Sequence, residues 1–185
     1  EVYLQKYIEE TNKVISFQKE CGIDVKVSGE LNRDNYMSYI GDIVDGIKLL
    51  TLEELKELTG NNEGFSKSLE EMDASDNSMN SPICFGKINT EARLNKKEVE
   101  ILQNNSIEHY KCTLPSPYLL TRSMWFKEVT GKVYESRNEL GEDVVKLLRN
   151  EIRALVKSGV KIIQIDEPIL SEVVFKNSKS DNSFY

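Results

Sequence analysis

At 185 residues the chain suits one domain around a single core, and 39% hydrophobic with 30% charged residues is the balance of a folded globular protein, not a disordered one. A formal charge of -7, with Lys and Arg scattered along the chain, leaves no basic patch for a phosphate backbone or an anionic bilayer, so nucleic acid is not an expected partner. No apolar run approaches the ~20 residues that cross a bilayer, and Glu1 opens an acidic amphipathic segment, so a cytoplasmic protein with no membrane partner is expected.

In chain order, Leu4, Tyr7, Ile8, Val14 and Ile15 recur at near-helical spacing and predict an amphipathic helix over 3–20, ended by Cys21-Gly22. Residues 23–28 alternate apolar and polar as a strand does, up to Gly29-Glu30. A short helix is expected over 35–44, a short strand over 46–50, a clearer strand over 82–88, a helix over 95–105 with Val99 and Leu102 inward, and a strand over 109–114. After the turn Pro115-Ser116-Pro117 come a helix through Trp125 and a long helix over 139–157, striped by Leu140, Val144, Leu148, Ile152 and Leu155. Ser158-Gly159 closes it, and a strongly apolar strand over 160–165 runs into Asp166-Glu167-Pro168. Residues 58–81, rich in Gly, Asn, Ser, Asp and Glu, read as an exposed polar excursion, and 176–185 as a polar tail.

Strands alternating with helices of this length predict a parallel sheet covered by helices, either a (β/α) barrel or a doubly wound sheet. No Gly-x-Gly-x-x-Gly and no Gly-x-x-x-x-Gly-Lys-Ser/Thr follows any strand, which tilts the reading to the barrel. Reacting groups in such folds sit where strands end, and here Glu30 and Asp166-Glu167 hold those places. They could receive a ligand ammonium group or act as general acid and base. They could equally cap a helix or pair with Arg33 or a lysine. Cys21, Cys84 and Cys112 are widely spaced without a Cys-x-x-Cys pair and read as buried reduced thiols. His109 opens a strand at the opposite end from the reacting face, and Lys87 and Arg122 read as solvated charge.

Four stretches resemble, in order, the catalytic barrel of the cobalamin-independent methionine synthase family. They are the run from Glu20 through Ser28-Gly29-Glu30 to Arg33, Met37 and Tyr39, the strand Pro82-Ile83-Cys84-Phe85-Gly86-Lys87-Ile88, the turn Lys111-Cys112-Thr113-Leu114-Pro115-Ser116-Pro117, and Ile163-Gln164-Ile165-Asp166-Glu167-Pro168-Ile169-Leu170. The resemblance implies an α/β fold of the (β/α)8 TIM type, incomplete here with middle strands only, residues 1–175 being a partial barrel domain. It implies zinc-dependent methyl transfer from a methylated folate to the thiol of homocysteine, with small-molecule substrates. Alternatives are a related thiol methyltransferase with a corrinoid donor, or a non-catalytic relative that binds a ligand or a partner protein. Glu30 and Asp166 match family positions that hold the amino acid, and Glu172 a carboxylate near the folate pterin.

The departures are as specific as the matches. Ser28 stands where the family has histidine before Gly-Glu, and Ser171 where it has arginine. The family's zinc ligands lie beyond the Ile-Asp-Glu-Pro motif, so no metal ligand and no catalytic residue is expected within this chain, which alone should be inactive. Five expected strands fall short of the roughly eight of a closed barrel. Val25, Val27, Ile163 and Ile165 should then face a gap, covered by a second copy in a homo-oligomer, by the excursion, or by further chain, the last being the favoured reading.

Overall fold

The computed structural model describes residues 2–51 and 81–169, with Glu54, Glu57 and Leu58 between them. Apart from Leu58 and Ser81, the excursion lies outside the described residues, as do the tail and Glu172. Helix α1 (Val2–Glu20) buries Tyr7, Thr11, Ile15 and Gln18 along one stripe. Leu4 and Ile8, expected inward, are exposed at its edge. Gly22, at a φ of 69°, ends the helix, and Ile23 N–H donates back to the Gln18 carbonyl at 3.0 Å.

The strand expected over 23–28 is a single parallel bridge, Lys26 to Tyr110. Lys26 N–H donates to the His109 carbonyl, and Lys111 N–H to the Lys26 carbonyl, each at 3.0 Å. On the other side no strand is paired among the described residues, and the Gln18 amide takes both backbone groups of Val27, donating to its carbonyl and accepting from its N–H at 2.9 Å each. A side chain thus satisfies what a neighbouring strand otherwise would.

The helix expected over 35–44 is a 3-10 turn, Ser38–Asp42, started by the Asn35 side chain, which accepts from Met37 N–H at 2.9 Å and Ser38 N–H at 2.7 Å. Strands β1 (Ile47–Leu50) and β2 (Ser81–Cys84) then pair antiparallel, Ile47 opposite Cys84 and Leu50 opposite Ser81. This corrects the all-parallel sheet. The strands are joined by residues 51–80, with no covering helix required between antiparallel neighbours. Gly46, at a φ of 93°, opens β1 where an added Cβ would lie 2.6 Å from the Lys87 carbonyl oxygen.

The rest is α/β in the expected order. Helix α2 (Lys96–Asn104) leads to β3 (Lys111–Pro115). Helices α3 (Pro117–Met124), α4 (Lys127–Thr130) and α5 (Arg137–Lys157) carry the chain back to β4 (Ile162–Asp166), parallel to β3. The hydroxyls of Ser116 and Ser136 accept from Leu119 N–H at 3.0 Å and Glu139 N–H at 3.2 Å, so α5 starts two residues earlier than its apolar stripe suggested.

Leu140, Val144, Leu147 and Leu155 of α5 are fully buried with Ile15, Ile40, Leu102, Leu120 and Met124 in one core, which Cys112 and Leu114 of β3 also enter. Register sets Ile163 beside Cys112 and Ile165 beside Leu114. These isoleucines therefore belong to the helix side and not to the gap-facing side expected of them. Ile163 packs on the core, while Ile165 stays 43% exposed on β4, whose outer edge pairs with no strand among the described residues.

Candidate functional site

Alternation along β3 and β4 turns Lys111, Thr113, Gln164 and Asp166 to the face away from the covering helices. Lys111 Nζ donates to Gln164 Oε1 at 2.6 Å, and Gln164 Nε2 to Asp166 Oδ1 at 2.5 Å, so a polar ladder climbs toward the strand ends. Asp166 closes β4 opposite Pro115, where its carbonyl accepts from Ser116 N–H at 2.9 Å. Glu167 accepts from the Ser116 hydroxyl and, at 3.1 Å, from Ile169 N–H, which ties it to the start of α3.

Glu30 reaches the same face from the other side of β3, accepting from the Thr113 hydroxyl. Glu30 thus meets β3 at Thr113, while Asp166 ends the neighbouring β4 opposite Pro115. They do not pair with each other.

The backbone at Glu30 is unusual. Gly29 has a φ of 82°, and Glu30, a non-glycine residue, has a φ of 56°. A left-handed conformation costs an L-residue about 1–2 kcal/mol and concentrates at functional positions. At Gly29 a Cβ would also come within 3.1 Å of Val14 Cγ1.

Beneath Glu30 lies a charged cluster. Arg33 Nε and NH2 lie 2.9 and 2.8 Å from Glu98 Oε1, Arg33 NH1 donates to Thr113 Oγ1 at 3.0 Å, and NH1 lies 3.2 Å from Glu30 Oε1. The guanidinium sits 4.3 Å above the Tyr39 ring. Ser28 Oγ donates to Glu98 Oε2 at 3.1 Å and accepts from Glu30 N–H at 3.2 Å. The Arg33 and Glu98 side chains are 2% and 5% exposed, that of Glu30 36%. Burial pushes the Glu98 carboxyl up, against the pull of Arg33 and Ser28. Burial also works against the Arg33 charge, but Tyr39, Glu98 and Glu30 together raise its pKa. Both Glu98 oxygens accept from donors, the arrangement of the ionised form, so the pair is read as a buried ion pair despite the upward shift.

A second buried carboxylate, Glu151 of α5, accepts from Arg93 Nε at 2.7 Å and Asn95 N–H at 2.9 Å, while Asn95 Nδ2 donates to the Thr113 carbonyl at 3.1 Å. It fixes the entry of α2 against β3. Neither Glu98 nor Glu151 was read as functional from sequence. Glu98 could have been found, since with Leu94, Ile101 and Leu102 it falls on one helical stripe, where an acid needs a cation.

No group of three or more His, Cys, Asp and Glu gathers as a metal site among the described residues. Burial pushes the Cys84 thiol up to about 11 and Cys112 to about 12, away from the thiolate a zinc ligand requires. Cys21, expected to be buried like the other two, is exposed in the turn that ends α1, and the His109 side chain is half exposed just before β3. These residues do not fit a zinc site. Arg122, expected in solvent, is 5% exposed, because α3 is packed between β2 and α5. Lys87 pairs with Glu139 at 2.5 Å and lies 3.8 Å over the Tyr134 ring. Trp125 ends α3, half-buried against the core. No helix among the described residues is long and apolar enough to cross a membrane.

Carboxylates at the carboxyl ends of parallel strands, on the face opposite the helices, define an α/β protein with a polar strand-end site. The model of the family described as "Cobalamin-independent synthase, Catalytic domain" matches residues 1–185, and the chain belongs to that family. Among curated relatives it is 28% identical over 171 residues to the 5-methyltetrahydropteroyltriglutamate–homocysteine methyltransferase of Coxiella burnetii (strain RSA 331 / Henzerling II), covering 92% of this chain and 19% of that protein. It is 26% identical over 174 residues to the enzyme of the same name from Corynebacterium glutamicum (strain R), covering 94% and 20%. The chain thus spans about a fifth of the length of these relatives. A B12-independent methionine synthase from Shewanella sp. W3-18-1, solved in complex with selenomethionine, superposes with a TM-score of 0.65 at 21% identity, over 88% of this chain and 41% of that one. That likeness speaks for the fold.

Proposed function

We propose that this chain carries the amino-acid-binding part of a cytoplasmic methyltransferase that moves a methyl group from a methylated folate to the thiol of homocysteine, within a (β/α)8 barrel whose middle strands lie in residues 1–175. What supports the reading is that Glu30 accepts from the Thr113 hydroxyl of β3 and Asp166 ends the neighbouring β4, in a chain whose curated relatives are named for this reaction. An ammonium group between them would meet two carboxylates, the chemistry that selects an α-amino acid over its des-amino counterpart. Glu172 is proposed to lie near the pterin of the folate. Such a reaction uses zinc to lower the thiol pKa, but the described residues supply no ligands for it, so the role assigned to this chain is binding and orientation.

Isothermal titration of the 185-residue chain with L-methionine and L-homocysteine tests this. Wild type should bind both, and Asp166→Asn should weaken binding by about 2–5 kcal/mol, the cost of removing one partner of a charge pair that the bound ligand would bury. An isotherm unchanged by Asp166→Asn, or absent in the wild type, removes the reading.

A further inference from the structure

We infer that Glu98 sets the charge of the amino-acid site: by occupying the Arg33 guanidinium it leaves the Glu30 carboxylate un-neutralised for a ligand ammonium group, and so acts as a positioning residue for ligand selectivity. The inference rests on the reading of Glu30 given above. Arg33 stands between two carboxylates and shares itself unequally. Nε and NH2 both approach Glu98 Oε1, at 2.9 and 2.8 Å, whereas only NH1 reaches Glu30, at 3.2 Å, and NH1 also donates to Thr113 Oγ1 at 3.0 Å.

Surroundings widen the difference. The Glu98 side chain is 5% exposed and that of Glu30 36%, so the Glu98–Arg33 attraction acts through a drier medium. One guanidinium and two carboxylates leave a net charge of -1, and the open position of the cluster is Glu30, at the strand ends. Ser28 holds the other Glu98 oxygen at 3.1 Å and accepts from Glu30 N–H at 3.2 Å, which fixes the two carboxylates in one frame. Without the Glu98 charge, Arg33 has Glu30 as its remaining carboxylate partner among the described residues, and the affinity of the site for a cation falls.

The test compares L-methionine with its des-amino counterpart, 4-(methylsulfanyl)butanoate, by titration calorimetry on the whole chain. Wild type should prefer methionine. Glu98→Gln keeps the side-chain shape and should weaken methionine by about tenfold, the effect of one unit of charge-partner shift, while leaving the des-amino acid unchanged. A residue that merely supports the fold would weaken both ligands together, and that result overturns the inference. The double variant Arg33→Gln/Glu98→Gln should recover the preference, because Glu30 is again unopposed. Preference retained in Glu98→Gln, or lost in the double variant, overturns the inference, and the double variant decides alone should Glu98→Gln fail to fold. Failure of the underlying reading looks different. In that case Glu30→Gln leaves the preference intact, or wild type binds neither ligand, and the role of Glu98 falls with that of Glu30.

Discussion

Replacing Arg33 with alanine removes the cation paired with Glu98 and leaves that carboxylate buried in α2. The side chain lost is 2% exposed and gives up two contacts to Glu98 Oε1, at 2.9 and 2.8 Å, one to Thr113 Oγ1 at 3.0 Å, and its stacking 4.3 Å over Tyr39. Breaking a buried pair from one side costs about 3–5 kcal/mol, a large share of the ~5–15 kcal/mol that holds a domain folded. The loss should depend on pH. Burial already raises the Glu98 pKa in the folded state, and Arg33 and Ser28 are the groups that restrain it. A carboxyl raised on folding adds stability below its unfolded value, ordinarily 4.5, and that contribution fades as pH climbs through the folded value. Without Arg33 the rise is larger, so the deficit of Arg33→Ala should be smaller at pH 5 than at pH 7. Urea unfolding followed by far-UV circular dichroism at the two pH values measures it, and Arg33→Met/Glu98→Leu should recover most of the loss. A deficit below about 1 kcal/mol, the scale of an exposed pair, or one equal at both pH values would refute the buried-ion-pair account.

Gly29→Ala should destabilise by about 1–2 kcal/mol, since it forces a side chain to a φ of 82° beside Val14, and thermal unfolding indistinguishable from wild type would contradict that geometry. At pH 8 a disulfide reagent should modify Cys21 quickly and leave Cys84 and Cys112 untouched, and rapid labelling of all three would contradict the packing of β2 and β3. Because burial raises both thiols from 9.0, their stabilising contribution is complete below pH 9 and should be lost through about 11 and 12, which alkaline unfolding curves of the Cys84→Ser and Cys112→Ser variants can assign. Tyr134→Phe removes the hydroxyl that accepts from Ile88 N–H at 3.1 Å and donates to Asp143 at 2.9 Å, and chemical denaturation should show a loss of about 1–3 kcal/mol, a neutral result arguing against that bridge.

What could be read in advance was what side chains report about burial. The stripe on α5, the stop at Gly159 and the apolar run of β4 each record which residues meet the core, and their positions were legible in the sequence. Backbone partnership was not. The alternation over 23–28 looks like a paired strand, but Gln18, nine residues from Val27, takes the hydrogen bonds on one side. The order of strands and helices likewise does not state that β1 and β2 run antiparallel, because a connection over 51–80 can return the chain in either direction. Of the candidate site, Glu30 and Asp166 were visible as acids at expected strand ends, whereas the expected helix over 95–105 gave Glu98 no role. Its partner, Arg33, lies 65 positions away and only the fold joins them.

The left-handed backbone at Glu30 separates two quantities that usually move together in a mutational scan. At a φ of 56° glycine is the residue the backbone favours, and Glu30→Gly relieves about 1 kcal/mol of conformational cost, which offsets much of what is lost with the Arg33 contact and the Thr113 hydrogen bond. Folded yield in a cell should therefore change little for this substitution, even as retention on an immobilised amino acid collapses. Ranking every substitution on the two scales would place Glu30 far from the diagonal, in the quarter occupied by residues kept for a task and not for the fold.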